Sequence, residues 1–283
     1  LNITATVSDG ELTDSAGVNI EVISINDQPE LIASHNGFHE DHTESVISVY
    51  SETSNLLSGA TDLDDIDSSL LIYSIEGDTN NVGSAITVTL SYTDADGTDQ
   101  TQAISLTVNA DGSYAVAGFD LDALPDGATA TTTFTYQVVG DDGAVSNTVT
   151  STLSFTGTND NPVLVANNNT FTEDQLETGI SANAATSNLL DNATDIDDAD
   201  SSLVIHAING STNSVGSAIT STLSFTNANG DAQTQDIQLT VNADGSYAIT
   251  GFDLDALPNG NNATTSFTYQ AADDDGALSS TVT

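Results

Sequence analysis

The chain has 283 residues, of which 42 are Asp or Glu and none is Lys or Arg, so its formal net charge is −42. Such a chain repels nucleic acid and anionic membrane surfaces, because neutralising phosphates requires Lys and Arg. It contains no Cys, which excludes disulfides, and no run of about 18 apolar residues that would predict a membrane-spanning helix. We therefore expect no nucleic-acid partner and no membrane insertion.

The carboxylates cannot pair with guanidinium or ammonium groups of their own chain. Self-repulsion at this net charge opposes a compact state. Yet 37% of the residues are hydrophobic, and their alternating pattern predicts folded cores. Clustered carboxylate and amide oxygens suit Ca²⁺ better than other common cations. The first hypothesis is therefore that Ca²⁺ supplies the missing positive charge.

The sequence repeats itself with an offset of 133 residues, as between Thr61 and Thr194. The segment TDLDDIDSSLLI at 61–72 corresponds to TDIDDADSSLVI at 194–205, and VNADGSYA at 108–115 recurs unchanged at 241–248. This pattern predicts a tandem array of similar units stacked along one direction. We interpret residues 1–26 as the C-terminal strands of a preceding repeat, 27–159 as a complete repeat, and 160–283 as a second repeat lacking its last strand.

Within each repeat the apolar residues follow a period of two, which is typical of half-buried strands. The pattern covers 84–93, 128–140 and 149–155, and helical patterns are limited to single turns at 55–57 and 121–124. Asp-Gly and Asn-Gly pairs between the strands favour hairpin turns. The prediction is an all-β fold of immunoglobulin-like β-sandwich repeats in an elongated array, each with about seven to nine strands.

Acidic residues gather in loops between the predicted strands. One loop holds Asp62, Asp64, Asp65 and Asp67, and its copy in the second repeat holds Asp195, Asp197, Asp198 and Asp200. A short acidic loop and its backbone carbonyls can provide the six to eight oxygens, at roughly 2.3–2.6 Å, that Ca²⁺ prefers. The segment 94–99 is also acidic, but the second repeat has Asn at two of its positions, so we interpret it as a hairpin turn.

Several short motifs, in this order, resemble two overlapping bacterial patterns, the VCBS repeat and the cadherin-like repeat of giant RTX adhesins exported by type I secretion. The motifs are DGSY at 111–114, LDAL at 121–124, FTY at 134–136, DGA at 142–144 and TNDNP at 158–162. The segments ATDLD at 60–64 and NDNP at 159–162 are similar to cadherin calcium motifs. The resemblance implies cadherin-like repeats with Ca²⁺ at the junctions, in an extracellular protein of the bacterial cell surface.

The resemblance also implies a set of ligands for each junction. Between the two repeats these would be Glu40, Asp41, Asn159, Asp160, Asn161, Asp195 and Asp197, with the loop that holds Asp273, Asp274 and Asp275 close by. At the preceding junction they would be Asn26, Asp27, Asp62, Asp64 and Asp141 or Asp142. Glu173 and Asp174 occupy the positions of Glu40 and Asp41 in the second repeat and complete the candidate set.

The implied function is that of calcium-rigidified extender, or stalk, repeats of a large surface adhesin, a structural spacer for adhesion or biofilm formation whose partners are neighbouring repeats. The alternative is a subunit of an extracellular filament or surface layer, in which a strand of an identical chain completes the second repeat. No catalytic constellation stands out, and we do not expect an enzyme. His35, His39 and His42 have no His counterpart in the second repeat, so we prefer a solvated strand and loop to a zinc or copper site.

Overall fold

The structure is a computed structural model that describes residues 2–40, 46–49, 55–64, 66, 69–171, 180–182, 188–251 and 253–283. These residues form 18 β-strands and no α-helix. The longest helix among them is a single 3₁₀ turn, far too short to span a bilayer. The prediction of an all-β chain is confirmed.

The strands are β1 (Asn2–Ser8), β2 (Thr13–Asn19), β3 (Glu30–Leu31), β4 (His35–His39), β5 (Val46–Val49), β6 (Ala60–Thr61), β7 (Leu71–Ile75), β8 (Ala85–Thr93), β9 (Asp99–Val108), β10 (Tyr114–Ala117), β11 (Thr129–Val139), β12 (Val149–Thr156), β13 (Ile180–Ala182), β14 (Val204–Ile208), β15 (Ala218–Thr226), β16 (Ala232–Val241), β17 (Tyr247–Thr250) and β18 (Tyr269–Ala272). The 3₁₀ helices are Thr79–Asn81, Asp200–Ser202 and Thr212–Ser214.

The first repeat is a β-sandwich organised around the long strand β11. The strand order is β4-β12-β11-β8-β9-β10-β5, and β7 pairs with the second half of β11. Every second residue of β11 from Ala130 to Val138 is buried, as the period of two predicts. The side chains of Leu90, Phe134 and Phe155 are completely or almost completely buried in the same core. Burial of such side chains, each contributing about 1.5–3 kcal/mol, holds the sandwich together.

The second repeat has the same hairpins but a less continuous core. Strands β13-β17-β16-β15 form one sheet, and β14 pairs with β18. In the first repeat, residues 129–136 of β11 pair with β12. The corresponding residues 262–268 form no regular strand, and the bridge between Ser224 and Thr264 joins them to β15. Of residues 253–283, only Tyr269–Ala272 (β18) form a regular strand.

Residues 2–28 form the β1–β2 hairpin and an extended tail, and all of their side chains are exposed. Val22, which is 83% exposed, corresponds to the buried Phe155 after the offset of 133 residues. The apolar pattern of this segment is therefore that of core strands. The division of the chain at residues 26 and 159 stays a prediction.

One turn is built identically in the two repeats, and glycine is required in it. Asn55 Nδ2 donates to the carbonyl of Asp111 at 2.8 Å, and Asn55 Oδ1 accepts from the Leu57 amide at 2.8 Å. The adjacent Gly112 has φ +78°, and a Cβ there would lie 2.0 Å from Asn55 Oδ1. Asn188 and Gly245 repeat this arrangement in the second repeat.

We predict that Gly112→Ala destabilises the first repeat by well over the roughly 1–2 kcal/mol that a left-handed non-glycine residue costs, because it also displaces Asn55. The matched control is Gly97→Ala, at φ +77° with no atom within 4 Å of the added Cβ, which tests the backbone cost alone. Chemical unfolding followed by circular dichroism measures both. Equal losses of stability in the two variants would contradict this reading of the turn.

Candidate metal centre at the junction of the repeats

The linker between the two repeats, residues 158–162, contacts a carboxylate on each side. Glu40, which follows β4, is buried and accepts from the Thr158 amide at 2.7 Å. On the other side the Asp160 amide donates to the carboxylate of Asp197 at 3.2 Å, and Asp197 is 0% exposed. The linker backbone therefore connects an acid of the first repeat with an acid of the second.

Next to this linker lie two overlapping groups of carboxylates from the second repeat. Oxygens of Asp195, Asp198 and Asp273 lie within 4.8 Å of one another, and so do oxygens of Asp198, Asp274 and Asp275. Asp198 belongs to both groups. The first three residues, called the junction cluster below, come from the acidic loop before β14 and from the turn after β18.

The turn after β18 fixes the position of Asp273. Its Oδ1 accepts from the amides of Gly276 and Ala277, the latter at 2.9 Å. Asn159 Nδ2 of the linker also approaches this oxygen, at 3.5 Å. The side chain is only 5% exposed, so Oδ2, which these contacts do not use, stays enclosed beside Asp195 and Asp198.

Several oxygens around the junction cluster are buried without a hydrogen-bond donor among the described residues. They are both carboxylate oxygens of Asp195, Oδ2 of Asp198, Oδ2 of Asp273 and Oδ1 of Asn159. A buried acceptor without a partner costs about 1–3 kcal/mol, and an unpaired charge costs more. Since the chain has no Lys or Arg, its own side chains offer no permanent cation to lower this cost.

The electrostatics of the cluster agree with its geometry. Burial, reinforced by the neighbouring Asp197, raises the pKa of Asp195 to about 7. Burial and the charge of Asp274 raise the pKa of Asp198 to about 6. Carboxylates respond in this direction when no opposite charge is near.

The donors present fit a hard divalent cation. They are carboxylate and amide oxygens, and they converge from a loop, a turn and a linker whose side chains can adjust. Ca²⁺ accepts six to eight oxygens in flexible geometry, whereas Mg²⁺ requires a nearly ideal octahedron and keeps several waters. Softer metals prefer imidazole or thiolate, and neither occurs in the junction cluster.

The structure brings together most of the residues expected at this junction. The expected residues that lie in or beside the linker and the junction cluster are Asn159, Asp160, Asp195, Asp197, Asp198, Asp273 and Asp274. Glu40 contacts the linker from the first repeat. Asp200 accepts from the Asp195 amide at 2.9 Å and shapes the acidic loop, while Asn161 is exposed. Asp41, His42, Asp65, Asp67, Glu173 and Asp174 lie outside the described residues. Metal binding by any of these residues stays a prediction.

The preceding junction is more open. The Asp27 amide donates to Asp64 Oδ2 at 3.1 Å, which reproduces the contact between Asp160 and Asp197. However, Asn26, Asp27, Asp64, Asp141 and Asp142 are all exposed, and the counterpart of Asp273 is Gly140. Within the described part of the chain, no close group of three carboxylates forms at this end.

Three acids of the first repeat near the junction, at positions 94, 96 and 126, were not among the candidates from the sequence. Asp275 joins the second carboxylate group, and Asp126 of the first repeat lies close enough for its charge to contribute to a raised pKa of Asp275. Asp94 and Asp96 line a cavity with the acidic loop of the second repeat. They do form the expected hairpin turn, with Gly97 donating to the carbonyl of Asp94 at 2.9 Å. The available signal was the change from Asp to Asn between the repeats.

No protein-family model matches the chain, and no curated protein matches it. Among solved structures, extracellular cadherin domains 3–6 of protocadherin gamma B2 are similar at 12% identity and a TM-score of 0.41, covering 99% of this chain and 57% of that one. A tetra-tandem repeat from the extending region of a large adhesion protein is similar at 19% identity and a TM-score of 0.18, covering 71% of this chain and 42% of that one. The chain thus spans about half the length of these structures, and the conclusions about its site rest on its own geometry.

The raised pKa values predict how the stability of the calcium-free protein depends on pH. Between the ordinary value of 3.8 and about 7, folded Asp195 retains a proton that the unfolded chain has lost. The folded state therefore binds more protons, and stability falls as the pH rises through this window. Because Asp195 and Asp198 are only half-buried, we expect the free energy of unfolding to fall by about 1–2 kcal/mol.

The measurement is the melting temperature between pH 5.5 and pH 8 in chelator, compared with the Asp195→Asn/Asp198→Asn double variant. The variant should show a smaller decrease, since it lacks the two carboxylates whose raised pKa values cause it. Identical pH profiles would contradict the assignment. Added Ca²⁺ should cancel the decrease in the wild type, because it binds the deprotonated carboxylates.

Proposed function

We propose that this chain consists of calcium-rigidified extender repeats of a large extracellular adhesin. The observation that carries the proposal is the junction cluster. Oxygens of its three carboxylates lie within 4.8 Å of one another beside the linker. At least one oxygen of each carboxylate is buried and has no hydrogen-bond donor among the described residues. A spacer whose joints need an external cation is the function that best fits such a site.

The residues around the linker would act as a clamp with two sides. Glu40 holds the start of the linker to the first repeat, and Asp197 holds Asp160 to the second. Asp195, Asp198 and Asp273 would bind the ion beside them, and Asn159, whose Nδ2 lies 3.5 Å from Asp273 Oδ1 and whose Oδ1 is buried, would offer a neutral ligand. Ca²⁺, when bound, would supply the positive charge that lets these oxygens lie close together. Without it, repulsion between the carboxylates favours an open and variable joint.

The wider context belongs to the same proposal. The order of the short motifs supports a VCBS or RTX-type adhesin, displayed on a bacterial surface and serving adhesion or biofilm formation. The partners are then neighbouring repeats of the same chain. Metal binding that completes folding would also suit export of an unfolded chain into a calcium-rich exterior.

Small-angle X-ray scattering of the full chain, with Ca²⁺ and with chelator, tests rigidification. We expect Ca²⁺ to narrow the distance distribution into that of two repeats at a fixed angle, and chelator to broaden it. Identical distributions in the two conditions would refute the proposal. Regular filaments formed by the purified chain would instead favour the alternative, a self-assembling subunit.

Calcium should also stabilise the folded chain, because a ligand bound only by the folded state adds about 2.7 kcal/mol at a concentration of one hundred times its Kd. We predict that Asp195→Asn/Asp273→Asn loses most of this calcium-dependent rise in melting temperature. The side-chain oxygen of Asn at position 273 can still accept from the Gly276 and Ala277 amides, so the turn is kept. The control is Asp231→Asn in the exposed β15–β16 hairpin, which should respond to calcium like the wild type. A full response in the double variant would remove these residues from the site.

A further inference from the structure

Three Asn-Gly pairs of the second repeat stand where the first repeat has an acid followed by the same glycine. In chain order they are Asn209-Gly210, Asn229-Gly230 and Asn259-Gly260, and their counterparts are Glu76-Gly77, Asp96-Gly97 and Asp126-Gly127. A fourth pair, Asn36-Gly37, lies in the first repeat. Asn is a thermolabile residue, and a glycine after it has no Cβ to shield its own backbone amide. The four pairs are therefore candidates for spontaneous deamidation.

Deamidation at such a pair needs no enzyme and no reactant other than water. The glycine amide nitrogen loses its proton and attacks Cγ of the asparagine side chain, which closes a succinimide ring. The bond from Cγ to Nδ2 breaks, and the side-chain nitrogen takes up a proton and leaves as ammonia. Water then opens the ring, to Asp if the bond to Cγ is cleaved and to isoaspartate if the bond to the backbone carbonyl carbon is cleaved. The asparagine side chain must therefore be free to swing onto the glycine nitrogen.

Two of the four asparagines are held away from this geometry. Asn209 Oδ1 accepts from the Thr268 amide at 2.9 Å, and the Asn209 amide donates to the Thr268 carbonyl at 2.8 Å. Both the side chain and the backbone of Asn209 are thus fixed. Asn36 and Gly37 lie within β4, where they are paired in register with β12. Ring closure at either site requires local opening of these contacts first.

The other two asparagines lie in turns and have free side chains. Asn229 is at the tip of the β15–β16 hairpin, and Asn259 lies in the segment that connects β17 with β18. Both residues are exposed. Within the part of the chain that the structure describes, neither side chain makes a hydrogen bond. Their Cγ atoms can therefore approach the next backbone nitrogen without breaking a side-chain contact.

The two turns differ in how the attacking nitrogen is engaged. The Gly230 amide donates to the carbonyl of Asn227 at 3.0 Å, so this hydrogen bond must open before the nitrogen can react. In the other turn the closing hydrogen bond is donated by the Asn261 amide, at 2.9 Å. The Gly260 amide makes no hydrogen bond among the described residues. Asn259 therefore needs the smallest rearrangement of the four.

The first repeat shows that both turns accept the product. Asp96 occupies the position of Asn229, in a hairpin turn whose hydrogen bond measures 2.9 Å. Asp126 occupies the position of Asn259, in a turn closed by the Ala128 amide at 2.8 Å. Conversion to Asp therefore adds a negative charge and keeps the turn, whereas isoaspartate adds a methylene group to the backbone and lengthens it.

We propose that Asn259, and more slowly Asn229, are sites of spontaneous deamidation, while the fold protects Asn209 and Asn36. As the protein ages, the second repeat then gains carboxylates at the two turns where the first repeat already has them. This inference goes beyond the proposed function and does not depend on it.

The test is peptide mapping by mass spectrometry after the full chain has been incubated at mildly alkaline pH, where more of the glycine amide is deprotonated. The same chain unfolded in urea gives the intrinsic rate of each pair. Two variants serve as references. Asn259→Asp carries the product from the start, and the aged wild type should move toward its position in ion-exchange chromatography. Asn259→Gln has no asparagine at this turn and should keep its original position for longer.

In the folded chain we expect Asn259 to convert about tenfold faster than Asn209 or Asn36, because those two must first open hydrogen bonds. Asn229 should lie between them, and in urea the four rates should converge. Conversion of Asn209 or Asn36 as fast as Asn259 in the folded chain would overturn the proposal. So would an Asn259 that stays intact in the folded chain but is lost in urea. The same ranking in urea would also overturn it, because the neighbouring sequence and not the fold would then set the rates.

Discussion

A carboxylate enclosed between two protein units needs a positive charge, and this chain has no Lys or Arg to supply one. A buried acid is ordinarily paired with a basic side chain, since a buried charge without a partner is unfavourable. Removing one partner of such a pair costs about 3–5 kcal/mol. Here Asp195, Asp198 and Asp273 lie together, and the donors that Asp273 finds among the described residues are amides. The stability of the junction is therefore linked to the solution around it, through protons or metal ions.

The same constraint explains how charge is distributed over the fold. The interior of the first repeat is an apolar sandwich formed by strands such as β8 and β11, and it folds by ordinary burial of hydrophobic side chains. Many of the acids lie in the loops, the turns and the linker, and acids within strands, such as Asp99 in β9 and Asp236 in β16, are exposed. Repulsion between acids is then greatest where they lie close together, as Asp195, Asp198 and Asp273 do.

Much of the fold could be predicted because its patterns are local. The alternation in 84–93 predicted β8 almost to its ends, and the resemblance to cadherin-like repeats implied that the linker and the loop at 195–200 meet at one junction. The acids at 94, 96 and 126 were missed because their approach to the second repeat depends on the angle between the units, which no local pattern encodes. Residues 262–268 are irregular for a similar reason, since a strand depends on its neighbour as much as on its own sequence.

The central claim is that a calcium ion belongs among the carboxylates of Asp195, Asp198 and Asp273. A crystal structure of the chain grown in Ca²⁺, with anomalous diffraction data, tests it directly. The account predicts an anomalous peak with carboxylate oxygens at about 2.3–2.6 Å, next to the linker and with the repeats at one fixed angle. An ordered junction with no ion there, and with carboxylates that share protons or turn away from one another, would contradict it.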